Sequence, residues 1–351
     1  MREGWEYKKL GDSCVIEYGT RVVQKKDGGT IYPVYGGGGE TFRIDKYNRE
    51  NCLVVARFAM SRTCVRYVTG KFFLNDSGLS INAGKELLQS YLNHHILHLN
   101  DDIYNLGKGA AQRNLDVNSF RNLIIAIPPF STQLSIVSEL DKINELIRLK
   151  KEQLKDYDNL AQSIFYEMFG DPVVNEKGWE VKKLGEVAMI KTGPFGSMLH
   201  KEDYITGGIP LINPMHIQNF KAVPDKDFTI SKEKAAELCN YQLKINDVIF
   251  ARRGDIGRCA IISDKEAGYL CGTGSLFVRF ERKLSSVYIM YVVRTTSFIK
   301  ELVSKAKGAT MLNLNSSTME NIRFPIPHLP LQQLFAQRIE LIEKQKAEIQ
   351  S

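Results

Sequence analysis

The chain lacks the features of secreted, membrane-spanning and disulfide-bonded proteins. Its six cysteines among 351 residues include no C-x-x-C pair, which favours reduced thiols and a cytoplasmic location. No apolar run approaches the ~20 residues that span a bilayer, so no membrane partner is expected. The opening MREGWEYKKLGD has no apolar segment of a signal peptide. With 43% hydrophobic and 25% charged residues, the composition is that of a globular protein and excludes a disordered chain.

Signatures of catalysis are also lacking. The sequence has no G-x-x-x-x-G-K-[ST] phosphate loop, and YGGGGE (35–40) does not open a long helix as a dinucleotide loop would. INPM (212–215) lacks the second proline and the aromatic residue with which an amino-methyltransferase stacks a flipped base. His94 and His98 have the spacing of a metal-ligand pair, but no carboxylate or cysteine stands beside them in sequence. We therefore expect no catalytic residue, no metal and no cofactor in this chain.

What the sequence does contain is an internal repeat. Four segments of the first half recur in the same order in the second half, at an offset that grows from 174 to 199 residues. The segments are GWEYKKLGD and GWEVKKLGE (4–12 and 178–186), VVAR and IFAR (ending at Arg57 and Arg252), KGAAQRNL and KGATMLNL (108–115 and 307–314), and AIPPFSTQ and PIPHLPLQ (126–133 and 325–332). The chain is therefore a duplication whose second copy carries about 25 extra residues, mostly before Arg252. Cys64 and Cys259 are separated by the same 195 residues as Arg57 and Arg252, which predicts that the two cysteines share a core position.

Each copy combines strands with helices, so the predicted fold class is α/β of the α+β type. CLVVARF (52–58) and DVIFARR (247–253) read as strands, and 85–99 and 284–303 as helical stretches. Each copy closes on a strand with a proline stop, at 123–130 and 322–330.

A long helix follows each copy. Residues 132–169 contain no Gly or Pro, and their apolar residues alternate at intervals of four and three, the period of a coiled coil. A stripe on one helix usually packs on its own core. Here the second copy repeats it in matching register, which favours an antiparallel pair of helices between two globular parts. The expected seam residues are Ile136, Leu140, Ile143, Ile147, Leu154, Tyr157, Ile164, Phe335, Ile339 and Ile342. Further apolar residues predict contacts with helices of another protein; these are Val137, Leu146, Leu149, Leu160, Phe165 and Phe169.

The positive charge lies outside the helices. The formal net charge of +7 divides into +4 for residues 1–131, −2 for 132–169 and +5 for 170–329. Arg, Lys, Asn and Gln on loops can bind phosphates and base edges, although a single basic residue is usually only solvated. The candidate DNA-binding residues are Arg21, Lys25, Lys26, Tyr35, Arg57, Arg62, Lys108, Gln112, Arg113 and Asn114 in the first copy, and Lys191, Ser197, Lys201, Arg252, Arg253, Arg258, Lys307, Thr310 and Asn313 in the second.

Taken together, the doubled motifs resemble the specificity (S) subunit of type I restriction–modification systems. The resemblance covers essentially the whole chain through GWE…KLGD and GWE…KLGE, VVAR and IFARRGDIG, KGAAQRNL and KGATMLNL, and IPPFSTQ and IPHLPLQQ. It implies two target recognition domains, each followed by a conserved helix and related by pseudo-two-fold symmetry. The implied boundaries are 1–130 and 171–329 for the recognition domains, 131–170 for the central spacer helix and 330–351 for the distal helix.

The resemblance also implies a function. A non-catalytic chain would read one half of a split double-stranded DNA target with each recognition domain, and bind two methyltransferase subunits through its helices. S-adenosylmethionine would belong to those partners, and motor–nuclease subunits would join the larger complex. Two alternatives stay open at this point: a DNA-binding regulatory or decoy protein without a methyltransferase, and a standalone methylase or nuclease.

Overall fold

The computed structural model describes residues 3–110, 112–254, 256–280, 284–306 and 313–350. By its internal contacts the chain divides into two compact units, Met1–Leu149 and Lys150–Ser351. The 40-residue helix α6 (Phe130–Phe169) begins in the first unit and ends in the second. The mixed α+β class with two globular parts and a long helix is confirmed, whereas the pseudo-two-fold relation stays a prediction.

The first unit is built on strands with a few short helices. Its strands are β1 (Glu6–Lys9), β2 (Cys14–Tyr18), β3 (Tyr32–Gly36), β4 (Gly39–Ile44), β5 (Arg49–Ala56), β6 (Val65–Leu74), β7 (Gly78–Ala83), β8 (Gly107–Lys108), β9 (Asn114–Leu115) and β10 (Ile124–Ile127). Its helices before α6 are α1 (Leu10–Ser13), α2 (Gln24–Asp27), α3 (Gln89–His98), α4 (Asn100–Asn105) and α5 (Val117–Arg121).

A six-stranded sheet with the order β2-β7-β5-β6-β3-β4 forms the centre of this unit. Its pairs are antiparallel except β3 with β6. The central strand β5 confirms the strand predicted at 52–58, and it ends at Ala56. Residues 52–56 are all buried, because the β-branched and apolar run CLVVA packs on both faces of the sheet.

The second unit has shorter strands and more connections. Its strands are β11 (Glu180–Lys183), β12 (Ala188–Thr192), β13 (Tyr204–Ile205), β14 (Ile209–Ile212), β15 (Ile217–Gln218), β16 (Lys221–Ala222), β17 (Thr229–Ile230), β18 (Val248–Ala251), β19 (Cys259–Ile261), β20 (Leu270–Cys271), β21 (Ser275–Phe280) and β22 (Arg323–Ile326). Its helices after α6 are α7 (Lys232–Glu237), α8 (Ser286–Arg294), α9 (Thr296–Lys305), α10 (Ser316–Glu320) and α11 (Leu329–Gln350). Single 3-10 turns lie at Leu184–Glu186, Lys201–Asp203, Pro214–His216 and Cys239–Tyr241.

Two four-stranded sheets carry the second unit, with the orders β12-β21-β18-β19 and β13-β17-β14-β20. The helical stretch predicted at 284–303 is interrupted, which corrects the expectation of one helix. Thr295 between α8 and α9 is extended, with ψ 139°, and its hydroxyl accepts a hydrogen bond from the Phe298 amide at 3.4 Å. A threonine that caps the next helix in this way competes with helix continuation.

The duplication predicted from sequence is visible as repeated packing. Strand β1 pairs antiparallel with β10, and β11 with β22, in the same register. Cys64 and Cys259 are both fully buried, but the predicted shared position is off by one residue: Val65 pairs with Val55 as Cys259 pairs with Phe250. Burial raises the pKa of both thiols, to about 12 for Cys259.

A buried glutamine at the start of each long helix repeats as well. Gln133 and Gln332 are fully buried, and each donates its side-chain amide to the carbonyl of the residue five positions earlier, at 2.8 and 2.7 Å. Their side-chain oxygens accept from the amides of Leu88 and Ser285. Each glutamine thus joins the long helix to the globular part of its own repeat.

Within the second unit, the last turns of α6 lie antiparallel to α11. The ring of Phe335 near the start of α11 lies 5.3 Å from that of Phe169 at the end of α6. Near the end of α11, Lys346 Nζ lies 2.9 Å from Oδ1 of Asp158, which is about three turns before Phe169 on α6. The antiparallel pairing predicted for the helices is therefore present in this unit.

The interpretation of the outward apolar residues on α6 was partly wrong. The sequence predicts contacts with another protein for Val137, Phe165 and Phe169, yet they are at most 9% exposed and belong to the cores of their own units. The reason is that Phe165 stacks on Tyr288 of α8 and also meets the ring of Phe335 of α11 edge to face. A helix packed on two sides needs a wider apolar stripe than a two-helix seam. Leu146, Leu149 and Leu160 are exposed, as are the seam residues Ile143 and Ile147.

Candidate nucleic-acid interface

Three connections of the first unit meet at one end of its central sheet. One connection follows β2, one follows β5 and one precedes β7. The segment around β9 is hydrogen-bonded to the connection that follows β5. Gly19 donates to the Gly78 carbonyl at 3.0 Å, Arg57 to the Ser77 carbonyl at 2.8 Å, and Leu115 to the Arg57 carbonyl at 2.8 Å. We call this surface, residues 18–21, 57–62, 75–78 and 112–115, the first loop edge.

The second unit repeats this arrangement bond for bond. Gly193 donates to the Ser275 carbonyl at 3.0 Å, Arg252 to the Gly274 carbonyl at 3.1 Å, and Leu314 to the Arg252 carbonyl at 2.8 Å. The second loop edge is formed by 192–198, 252–254, 272–275 and 313–314. In both units, the arginine at the end of the central strand (Arg57 or Arg252) therefore lies next to the segment of the asparagine in the KGAAQRNL or KGATMLNL motif (Asn114 or Asn313).

Aromatic rings hold Arg57 in place on the first loop edge. Its guanidinium carbon lies 4.9 Å from the centre of the Tyr18 ring and 4.4 Å from that of Phe58. Its Nη1 also donates to the Asp76 carbonyl at 3.3 Å. A guanidinium has five N–H donors, so this half-buried side chain keeps donors for a bidentate contact with a guanine edge.

A second aromatic residue holds two more of the predicted arginines. The guanidinium carbons of Arg62 and Arg113 lie 5.1 and 4.7 Å from the centre of the Tyr104 ring. Arg113 is fixed further by a 3.1 Å bond from Nε to the Gly107 carbonyl. This grouping concentrates two positive charges beside Asn114, whose side-chain oxygen accepts from the Ala59 amide. Such a cluster suits phosphate binding.

On the second loop edge, an amide takes the place of the rings. Arg252 donates through Nε to Asn313 Oδ1 at 3.2 Å. Burial and the neighbouring Arg253 lower the pKa of Arg252, but a guanidinium stays charged at any physiological pH. Arg253 is exposed, while Arg258 donates to the Pro214 carbonyl at 3.2 Å.

Lys108 has a structural partner. Its ammonium pairs with Asp116, and this ion pair with the Ser119 amide lowers the pKa of Asp116 to about 2. The carboxylate also accepts from the Asn118 amide at 3.0 Å and so caps α5. Lys108 therefore has a role in stabilising the fold, although its side chain is exposed enough to meet a ligand. Its predicted counterpart Lys307 lies outside the described residues, as does Thr310.

The remaining predicted residues differ in accessibility. Tyr35 is half-buried, with its ring 5.5 Å from that of Phe72, and Lys191 lies over the Tyr241 ring at 5.0 Å. The exposed ones are Arg21, Lys25, Lys26, Gln112, Ser197 and Lys201. For all of them, DNA binding stays a prediction.

The sequence patterns do not identify the aromatic component of this interface. It comprises Tyr18, Phe58 and Tyr104 in the first unit and Phe195 in the second. Phe58 directly follows Arg57, and this adjacency is the one signal that could have pointed to it. Tyr104 is more than 40 residues from Arg62 in sequence, so only the fold reveals their contact.

Within the described ranges, no group of three His, Cys, Asp or Glu side chains could hold a metal ion. His94 Nε2 instead lies 3.0 Å from Asp141 Oδ1 of α6, and His95 stacks on Tyr91. Among the described helices, none has the length and apolar character of a membrane span.

Comparisons with known proteins agree on one family. The family model described as the type I restriction modification DNA specificity domain matches residues 2–156 and 176–351. Two specificity subunits of Methanocaldococcus jannaschii type I restriction enzymes are similar: MjaVIII, 22% identical over 67% of this chain and 59% of the relative, and MjaIX, 24% identical over 70% and 60%. The aligned part thus spans about three fifths of the length of these relatives.

A solved structure supports the fold. The S subunit of a type I restriction–modification system from M. genitalium superposes with a TM-score of 0.58 over 99% of this chain and 93% of that chain, at 16% identity. Since the family model matches both copies of the repeat and nearly all of the sequence, the chain belongs to the type I restriction–modification DNA specificity family.

Proposed function

We propose that this chain is the sequence-specificity subunit of a type I restriction–modification enzyme. Each unit reads one half of a bipartite double-stranded DNA target through its loop edge. The observation that carries this proposal is the repeated placement of Arg57 and Arg252. Both follow a buried central strand, both make the same two backbone hydrogen bonds, and both side chains remain partly accessible.

The two loop edges supply different chemistry around that common arginine. Arg57 lies between two rings, whereas Arg252 is bonded to an amide and stands beside the exposed Arg253. Arginine recognises the O6 and N7 atoms of guanine, and its surroundings decide which base step it can reach. Since the surroundings differ, the two half-sites are expected to differ, and the target is not a palindrome.

The chain itself performs no catalysis in this proposal. Two methyltransferase subunits dock through the long helices, where Ile143, Leu146, Ile147 and Leu149 are 45–59% exposed. Exposed apolar patches of this kind commonly mark protein interfaces. S-adenosylmethionine is bound by those partners, and motor–nuclease subunits join in the larger assembly. The recognition domains are 1–130 and 171–329, and the helices 131–170 and 330–351 set the distance between half-sites.

Co-expression with the cognate methyltransferase tests the proposal. The purified complex should methylate adenine at one split sequence, read out by sequencing modified bases in the genome of the expression host. Replacement of Arg57 by Ala should relax the first half-site only, and replacement of Arg252 the second only. Absence of site-dependent methylation would contradict the proposal. Binding to DNA without any co-purifying methyltransferase would instead indicate the regulatory alternative.

A further inference from the structure

Phe195 is the most exposed of the described Phe, Tyr and Trp side chains, at 65%. It lies in the glycine-rich loop TGPFGS that follows β12 on the second loop edge. Its position on a candidate binding surface leaves most of the ring accessible to a bound ligand.

The loop holds this ring out on a fixed base. Gly193 is buried, and a Cβ atom built on it would lie 2.0 Å from the carbonyl oxygen of Gly272. Pro194 is buried next to it, and the Met198 amide closes a turn onto the Phe195 carbonyl at 2.9 Å. Leu199 is again buried, at 6% exposure. The ring is therefore presented between two anchored positions.

The first unit has the same support but a different tip. A Cβ atom on Gly19 would lie 1.9 Å from the Asn75 carbonyl oxygen, just as Gly193 meets Gly272. Counting on from these matched glycines, the first unit places the exposed Arg21 where the second places Phe195. The two loop edges thus present a cation and a hydrocarbon ring at equivalent sites.

Polar and cationic side chains lie in the same connection as the phenylalanine. Ser197 and Lys201 are exposed in the same connection. Arg252 lies on the neighbouring strand end: its amide donates to the Gly274 carbonyl, and the Gly193 amide donates to the carbonyl of the next residue, Ser275. Cations with an apolar ring among them match a nucleic-acid surface, where the cations bind phosphates and the ring meets bases. Phenylalanine has no hydrogen-bonding group, so it cannot read the donors and acceptors on the edge of a base pair.

We propose that Phe195 is a wedge that inserts between two adjacent base pairs of the half-site bound by the second unit. This inference rests on the proposed function. Insertion unstacks a base step, which is least costly at the flexible steps TA and CA/TG, so Phe195 selects a step by its deformability. The first unit, with Arg21 in this place, binds its half-site without such a wedge.

The test uses the full chain in complex with its methyltransferase and a duplex carrying the methylated target. 2-Aminopurine, whose fluorescence rises when it is unstacked, is placed in turn at each step of both half-sites. Besides the adenines that the methyltransferase flips out of the duplex, only one step of the second half-site should gain fluorescence in the wild-type complex. Phe195→Ala should abolish that increase and weaken binding about tenfold, the effect of one lost stacking contact. Phe195→Trp should retain both.

Arg21→Ala serves as the matched control at the equivalent position. It should leave the fluorescence of the second half-site unchanged while making binding less dependent on salt. The wedge is disproved if Phe195→Ala binds the target as the wild type does, or if its fluorescence increase persists. Those results would leave site-specific methylation intact and so differ from failure of the proposed function, in which no target duplex is found at all.

Discussion

The two repeats share their interior and differ at their surfaces. The strand pairs β1–β10 and β11–β22, the buried glutamines and the backbone bonds of the two central arginines are the same in both units. Ile342 and Ile143 occupy matching positions on the long helices, yet Ile342 is 7% exposed and Ile143 is 52% exposed. A duplicated scaffold has thus kept its folding contacts while its helix face and loop edges acquired separate surroundings.

The largest predicted effect tests this difference between the helices. Ile342→Ala should destabilise the second unit by about 2–5 kcal/mol, because a buried side chain leaves a cavity. The matched Ile143→Ala should change the stability of the first unit by about 0.5 kcal/mol or less, as an exposed substitution does. Each repeat has one tryptophan, Trp5 and Trp179, so urea unfolding followed by fluorescence in single-tryptophan variants reports each unit separately. Equal losses in both units would show that Ile143 is also covered in the isolated chain.

The next effect concerns recognition by the two loop edges. Arg57→Ala and Arg252→Ala should each weaken binding of the target by about 1–3 kcal/mol and relax base preference in one half-site only. Competition titrations against duplexes mutated in a single half-site measure this. A uniform loss for all sequences would assign the altered arginine to a phosphate. A matched control is Lys25→Ala on α2, which should leave base preference unchanged.

Smaller effects should follow when the supports of these arginines are removed. Phe58→Ala leaves Arg57 with one ring, and should cost about 0.5–1 kcal/mol of binding. Asn313→Ala removes the amide that holds Arg252, and its effect should be confined to the other half-site. The same competition titrations apply. If Phe58→Ala altered recognition of the second half-site, the two loop edges would not act independently.

Much of the repeated scaffold was predictable from the sequence. Order and spacing of the motifs predict the duplication directly, and the β-branched and apolar run within 52–58 predicts the buried strand that ends at Ala56. Which sides of α6 are buried was not predictable, since a 3.5-residue period identifies only one buried seam along a helix. Phe165 is buried by α8, an element more than 100 residues away. The contacts of Tyr18 with Arg57 and of Tyr104 with Arg62 were not predictable for the same reason, because partners far apart in sequence meet only through sheet and helix packing.

The smallest predicted effect separates the caps of the matched helices α5 and α10. Asp116 caps α5 and has a pKa lowered to about 2, whereas α10 is capped by Asn315, which does not titrate. The ionised form of Asp116 is favoured in the folded state, so its contribution is complete above pH ~4 and is lost as the pH falls through about 2. Amide hydrogen exchange in α5 should therefore accelerate relative to α10 between pH 4 and pH 2, after correction for the intrinsic rates. Asp116→Asn keeps a capping side chain and should remove this pH dependence. If α5 and α10 changed in parallel in the wild type, the Lys108–Asp116 pair would not distinguish the two repeats.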